Sequence, residues 1–242
     1  MHRWIVFILA AASILPFTGC KKDKRGGNIY LLSSTNYTDN SSNLTDFYTY
    51  DSQNRLIQLY SAQIAETFKY TYDDKNNLAT VETYNSNNQL LGTDKYTYAA
   101  NIITATHNNP TPGVIGSYTF TLNNLGQVIR LDFWDQYNIY TYDSKGNIAT
   151  LTSFLSGGAQ VYSDNYTYDN NPNPWSMMGA PNLHLRYLTN NGNVGGVNNI
   201  SRDSLYAGVT GYVYNAKGLP TYSSTPTSYY GNAVVNYKYL VK

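Results

Sequence analysis

Residues 140–151 read YTYDSKGNIATL, and this stretch decides the fold because diverged copies of it recur from Tyr48 almost to the C-terminus. Tyr140 and Tyr142 alternate with Thr141, Asp143 opens a turn, Gly146 stands three residues later, and Ile148 to Leu151 carry the alternation away again. A period of two on both sides of a turn signal specifies a β-hairpin. Hairpins with a three-residue loop use a type I turn followed by one residue in the left-handed region, which Gly and Asn enter at least cost. The copies obey that rule. Openers Asp51, Asp73, Asn85, Asn123, Asp143 and Asn215 are followed, three positions on, by Asn54, Asn76, Asn88, Gly126, Gly146 and Gly218. Each opener can accept backbone N–H groups ahead of it and so hold its turn. The resulting register sets Tyr50 opposite Leu56, Tyr72 opposite Leu78, Tyr84 opposite Leu90, Leu122 opposite Val128 and Tyr142 opposite Ile148. Such cross-strand pairs contribute ~0.2–1 kcal/mol each over Ala–Ala. Thr49, Thr71, Thr83, Thr121 and Thr141 fall on the other face, so the sheet has a tyrosine side and a hydroxyl side.

Outward from that hairpin, Tyr-x-Tyr or Tyr-x-Phe pairs begin at positions 48, 70, 96, 118, 140, 166, 212 and 237. Their usual step of about 22 residues fits two strands and two turns. Return turns are expected at Ser61-Ala62, Ala99 to Asn101, Asn108 to Gly116, Asp135-Gln136 and Ser156 to Gly158. No segment shows helical periodicity. The expectation is one all-β domain over residues 28–242, an antiparallel meander of about 16 strands rolled into a strongly curved or barrel-like sheet, since closure removes exposed edges. An irregular Pro/Trp segment near residues 169–196 interrupts it: Asn171-Pro172-Asn173-Pro174-Trp175 cannot continue a ladder, because proline lacks the N–H. A loop or short helical turn through Trp175 to Gly179 should plug or cap the sheet. Extended structure should resume at Asn198 to Asp203, with a hairpin from Tyr212 to Tyr222 and a last strand at Tyr237-Lys238-Tyr239.

Residues 1–19 have the layout of a signal peptide: His2 and Arg3, an apolar run from Trp4 to Leu15 broken by Ser13, then Phe17-Thr18-Gly19-Cys20. The run is short of the ~20 residues that span a bilayer. The chain's single cysteine, Cys20, closes a stretch that resembles the bacterial lipobox, with Phe17 where Leu is usual. The resemblance implies that Cys20 is acylated, palmitate-type chains included, and becomes the first residue of a lipoprotein anchored in the outer membrane of a Gram-negative envelope. Several acyl chains anchor stably where one does not. Residues 20–27 then form a lipidated basic tether with Lys21, Lys22, Lys24 and Arg25. With the signal and tether set aside, eleven basic residues face fourteen acidic ones, which leaves no electrostatic footprint for nucleic acid.

Two further resemblances follow from motifs. YDSQNRL at Tyr50 to Leu56 and YDSKGNI at Tyr142 to Ile148 resemble the YD repeats of Rhs-type shells. The order of lipobox, tyrosine hairpins, Asn173-Pro174-Trp175, Asn198-Asn199-Ile200-Ser201 and Tyr212-x-Tyr214-Asn215-x-x-Gly218-Leu219-Pro220-Thr221 resembles a Bacteroidota-type lipoprotein family whose domain of unknown function is described as porin-like in fold. That resemblance implies a large curved or closed antiparallel sheet and brings no catalytic residue with it.

Chemistry is sparse. No nucleophile-elbow serine, His pair at metal spacing or glycine-rich phosphate loop occurs, so no cofactor or metal is expected. Asp73-Asp74-Lys75-Asn76-Asn77 lacks the ligands and final Glu of a calcium loop and reads as a turn. His107 and His184 stand alone beside turns. A lipid-facing barrel needs an apolar outer band, which a threonine face does not supply. What remains is a non-enzymatic binding or structural module, with a glycan or an envelope or surface protein as partner and Trp134, Trp175, Tyr229 and Tyr230 as the contact aromatics near loops and strand ends. The alternative is a glycan-active hydrolase using strand-end carboxylates, with Asp132 and Asp135 or Glu66 and Glu82 as the pair that such chemistry requires.

Overall fold

The computed structural model describes residues 28–108, 115–178, 196–203, 209–227 and 231–242. Cys20 with the signal and tether, His184, Tyr229 and Tyr230 lie outside the described residues. The chain opens with β1 (Tyr30–Thr38), β2 (Asn43–Tyr50), β3 (Leu56–Ser61) and β4 (Glu66–Tyr72). Next come β5 (Leu78–Tyr84), β6 (Leu90–Ala99), β7 (Ile102–Asn108) and β8 (Ile115–Leu122). After β9 (Val128–Phe133), β10 (Gln136–Tyr142), β11 (Ile148–Leu155) and β12 (Gln160–Pro172), a 3-10 helix (Pro174–Met178) intervenes. The last strands are β13 (Asn198–Asp203), β14 (Gly211–Tyr214), β15 (Pro220–Thr227) and β16 (Gly231–Val241).

Among the described residues these sixteen strands form one antiparallel meander, with β1 also paired to β16. The two free edges then meet: Arg202 bridges Val209, and the Thr210 N–H donates to the Ser201 carbonyl at 2.9 Å. The sheet is therefore a nearly closed barrel whose seam lies between β13 and β14. Strands alternate in direction, so turns after even-numbered strands share one rim, called lower here, and turns after odd-numbered strands share the upper rim.

All six expected left-handed residues have positive φ: Asn54 65°, Asn76 69°, Asn88 57°, Gly126 75°, Gly146 86° and Gly218 71°. The five expected cross-strand pairs, from Tyr50↔Leu56 to Tyr142↔Ile148, are all present. Asp143 shows how an opener works, its Oδ1 accepting the N–H groups of Lys145 at 2.8 Å and Asn147 at 2.9 Å.

The tyrosines do more than fill the inner face. Tyr50 donates its hydroxyl to the Leu32 carbonyl (2.8 Å), Tyr72 to Leu56 (2.5 Å) and Tyr98 to Leu78 (2.9 Å). Tyr142 does the same to Val128 (2.6 Å), Tyr168 to Ile148 (2.8 Å) and Tyr239 to Pro220 (2.9 Å). In every case the acceptor lies two residues outside the first ladder pair, as Leu56 lies before Gln58↔Lys69 and Leu78 before Thr80↔Lys95. A phenol thus satisfies a carbonyl that the backbone ladder leaves behind, and it ties each hairpin to the one before. Leu122 of β8 has no hydroxyl. There the ladder with β7 runs further, to Ile102↔Thr121, and the Leu122 N–H itself donates to Asn101 at 2.8 Å.

Sixteen strands in a round barrel would enclose an aqueous channel. Here one hydrophobic cluster joins residues from nearly every strand, Leu32, Leu56, Leu78, Ile103, Phe120 and Leu131 among them, and the interior is packed. Trp175 enters it from the 3-10 helix. Its indole N–H reaches the Tyr48 hydroxyl at 3.3 Å, and its ring meets Tyr237 edge-on at 5.5 Å.

Candidate functional site

Side chains on β6, β7 and β8 alternate between the core and the outside, and three inner positions climb toward the upper rim beyond the packed tyrosines. On β6 these are Tyr96, Asp94 and Gly92; opposite them on β7 stand Ala105 and His107, and on β8 Tyr118 and Gly116. The ladder sets Asp94 against His107 and His107 against Gly116. His107 Nδ1 lies 2.7 Å from Asp94 Oδ1. An ionised carboxylate only accepts, so Nδ1 carries the proton and the lone pair of a neutral ring sits on Nε2. Burial pushes the Asp94 carboxyl above its ordinary range, and the His107 hydrogen bond pulls it partly back. Gly92 makes room for the imidazole, because a Cβ there would stand 2.7 Å from His107 Cε1.

The next element along the rim is the β9–β10 turn. Phe133 pairs with Gln136, which makes Trp134 and Asp135 the two loop residues. Trp134 has φ 49° and is 78% exposed. Positive φ at the first position of a two-residue hairpin loop belongs to glycine, and a bulky residue there is an outlier that costs ~1–3 kcal/mol. Its indole packs on inner-face neighbours, tilted against Tyr118 at 6.1 Å and edge-on to Phe133 at 6.3 Å. Trp134 Nε1 and His107 Cβ both lie within 4 Å of the point where a Gly116 Cβ would be. Indole and imidazole are therefore neighbours across a glycine at the barrel mouth. Below them Tyr96, 6% exposed, has a hydroxyl with no hydrogen-bond partner among the described residues.

The other candidate residues are placed elsewhere. Trp175 is 7% exposed and belongs to the core plug, which corrects the expectation that it is a contact aromatic. Asp132 points to the outer face, where Arg130 Nε holds it at 2.8 Å, while Asp135 sits in the turn. Glu82 pairs with Lys69 on the outer face, where Tyr84 donates to it at 2.8 Å. Glu66 shares the inward parity of buried Phe68 and Tyr70, so the two glutamates lie on opposite sides of the sheet. Among the described residues no group of three His, Cys, Asp or Glu side chains is arranged to hold a metal ion. Buried phenols line the interior; burial, more than any neighbour, pushes Tyr48 to about 12, so it stays a neutral donor and acceptor.

No family model matches the sequence, and no curated protein matches it. Solved structures do. A porin-like protein from Bacteroides uniformis aligns over 86% of this chain and 98% of its own, with a TM-score of 0.44 and 14% identity. The TcdB2-TccC3-TEV structure aligns over 88% of this chain and 16% of its own, with a TM-score of 0.35 and 13% identity. The Photorhabdus luminescens Tc holotoxin pore aligns over 82% of this chain and 10% of its own, with a TM-score of 0.21 and 13% identity. These likenesses concern the backbone and bring no activity to this chain.

Sequence reasoning placed Trp134 near a turn and took His107 for a lone histidine beside another turn, missing its partner Asp94 and the glycines Gly92 and Gly116 around it. The signal lay in the β6–β7 turn: counting rungs back from Ala99↔Ile102 puts Asp94 opposite His107.

Proposed function

We propose that this chain is a lipid-anchored, non-enzymatic binding module of a Gram-negative envelope, and that its ligand is a glycan stacked on Trp134. One observation carries the reading: a large indole occupies a left-handed turn position suited to glycine and is left 78% exposed at the barrel mouth. Strain of that kind persists where the side chain has a task. Binding sites for small polar molecules combine an aromatic face with a few placed polar groups, and His107 stands beside the indole. The outer face favours a barrel standing in water, anchored through Cys20, because Lys69, Glu82, Lys95, Arg130 and Asp132 project from it. In lipid a Lys or Arg at mid-strand would cost ~2–4 kcal/mol.

The test is a glycan array probed with the full chain in mild detergent, beside Trp134→Gly. The reading expects selective binding that the variant loses, with stability within ~1 kcal/mol of the parent because backbone strain is relieved as ring contacts are lost. An array without signal would leave a protein partner or a structural role. A variant destabilised by more than ~2 kcal/mol would make Trp134 a packing residue instead.

A further inference from the structure

The two rims of the barrel present different side chains. Among the described residues the upper turns hold no Lys or Arg, and their charged groups are Asp39 and Asp135. On the lower rim the residue two places after each opener stands at the tip of its turn and is exposed: Gln53, Lys75, Leu125, Lys145 and Lys217. The acidic openers face the other way. Asp51, Asp73 and Asp143 direct a carboxylate oxygen at backbone N–H groups inside their own turns, as Asp73 Oδ1 does at Lys75 (3.0 Å) and Asn77 (2.7 Å). Lysines therefore reach outward where these three acids are folded back, and Asp74 is the exposed acid beside them. Leu125 is 83% exposed, more than any other large apolar side chain described. Its turn lies next to that of Lys145, since a Cβ on Gly146 would stand 3.5 Å from Gln127 Nε2.

The chain enters the barrel at this same rim. Strand β1 rises from it and β16 returns to it, and Ile29 and Lys242 exchange backbone hydrogen bonds there at 2.8 and 3.0 Å. Residues 20–27 are a tether of eight residues, which spans at most ~29 Å. A seven-residue strand such as β4 is ~23 Å long. Turning the mouth to the membrane would lay most of that tether along the barrel wall, whereas the lower rim reaches the membrane directly. The bases of the tether, Lys21, Lys22, Lys24 and Arg25, arrive from the same side. Basic groups near an anionic bilayer are attracted within a Debye length, and an apolar tip among them enters the headgroup boundary. Resting on the Cys20 anchor proposed above, we infer that the lower rim is a docking surface for an anionic phospholipid bilayer. Leu125 enters the acyl boundary, Lys75, Lys145 and Lys217 lie against the headgroups, and Trp134 is held on the far side.

The test uses the protein purified with its lipid anchor and reconstituted in vesicles of phosphatidylethanolamine and phosphatidylglycerol, with acyl chains brominated near the headgroup in one series. Leu125→Trp puts a reporter at the tip, and Trp134 and Trp175 of the wild type supply the background. The added emission should shift to the blue and be quenched about twofold or more by the brominated chains, because an interfacial side chain lies ~5–10 Å into the headgroup boundary. Wild-type emission should not be quenched. Replacing Lys75, Lys145 and Lys217 together by Gln, or raising salt to ~1 M, should remove about half or more of the quenching. Protein that floats with the vesicles but leaves the Leu125→Trp emission unquenched, or shows quenching of wild-type Trp134, overturns lower-rim docking and leaves the anchor standing. Quenching that survives both the triple substitution and high salt overturns recognition of an anionic surface. Protein that does not float with the vesicles removes the anchor and this inference together.

Discussion

The arc from β2 to β11 and the seam from β12 to β14 are built from the same tyrosines and held together differently. In the arc the hairpins of Tyr50, Tyr72 and Tyr142 carry their own instructions: an Asp opener, a left-handed Asn or Gly, and a phenol that ties the hairpin to the strand before, as Tyr72 ties to Leu56. At the seam the ladder among the described residues shrinks to the Arg202↔Val209 bridge, and side chains far apart in sequence take over. Asn147 Nδ2 donates to Asn198 Oδ1 at 3.1 Å, Asn198 Nδ2 to the Asn171 carbonyl at 3.1 Å, and Tyr214 to Asp169. Gly196 belongs to this junction, since a Cβ there would run into the Tyr168 ring. The difference teaches that local turn chemistry can write most of a barrel, but closing it requires non-local contacts and a plug.

The largest expected effect tests the plug. Trp175→Ala removes a buried indole that joins the 3-10 helix to Tyr48 and Tyr237, and should cost ~3–5 kcal/mol in urea unfolding. A loss under ~1 kcal/mol would show that the seam stands without it. Within the arc, Gly146→Val places a β-branched residue at φ 86° and should destabilise by more than ~1 kcal/mol. Lys145→Ala, at an exposed position in the same turn, should stay within ~0.5 kcal/mol. Tyr72→Phe deletes one hydroxyl tie and should cost ~0.5–1.5 kcal/mol, with more local hydrogen exchange at the β3–β4 end.

The smallest effect is a pH dependence. Burial opposes ionisation of Asp51 and Asp143, yet the backbone and side-chain donors of their turns outweigh it and hold both carboxyls below the ordinary value. A depressed native value means that the stabilisation is complete above the unfolded pKa, ~3.9, and is lost as pH falls through the lower native value. Asn85, Asn123 and Asn215 open equivalent turns and do not titrate. Converting both acids by Asp51→Asn and Asp143→Asn should therefore flatten the acid limb of stability against pH, and an unchanged limb would place the acid sensitivity elsewhere.

How much was legible follows from the same contrast. The left-handed residues and cross-strand pairs could be counted because each turn depends on a few adjacent residues. Where the hydroxyls go could not, since that depends on where each ladder stops. Pro174 marked an interruption before Trp175, but its burial depends on Tyr48, 127 residues earlier. Two turns hide their type, β6–β7 on the lower rim and β9–β10 at the mouth. Ala100 has φ 50° and Trp134 φ 49°, positions where neither residue is favoured, so the β9–β10 loop was expected one residue late and the Asp94–His107 rung was not counted.

Trp134 and Trp175 provide an internal pair of reporters, one 78% and one 7% exposed. With Trp4 expected to leave in the signal peptide, 5-fluorotryptophan labelling should give two fluorine resonances, assigned through Trp134→Phe. Titration with the sugar selected on the array should shift and broaden the Trp134 resonance and leave Trp175 in place. A Trp134 signal that stays fixed at saturating sugar would contradict the proposed site.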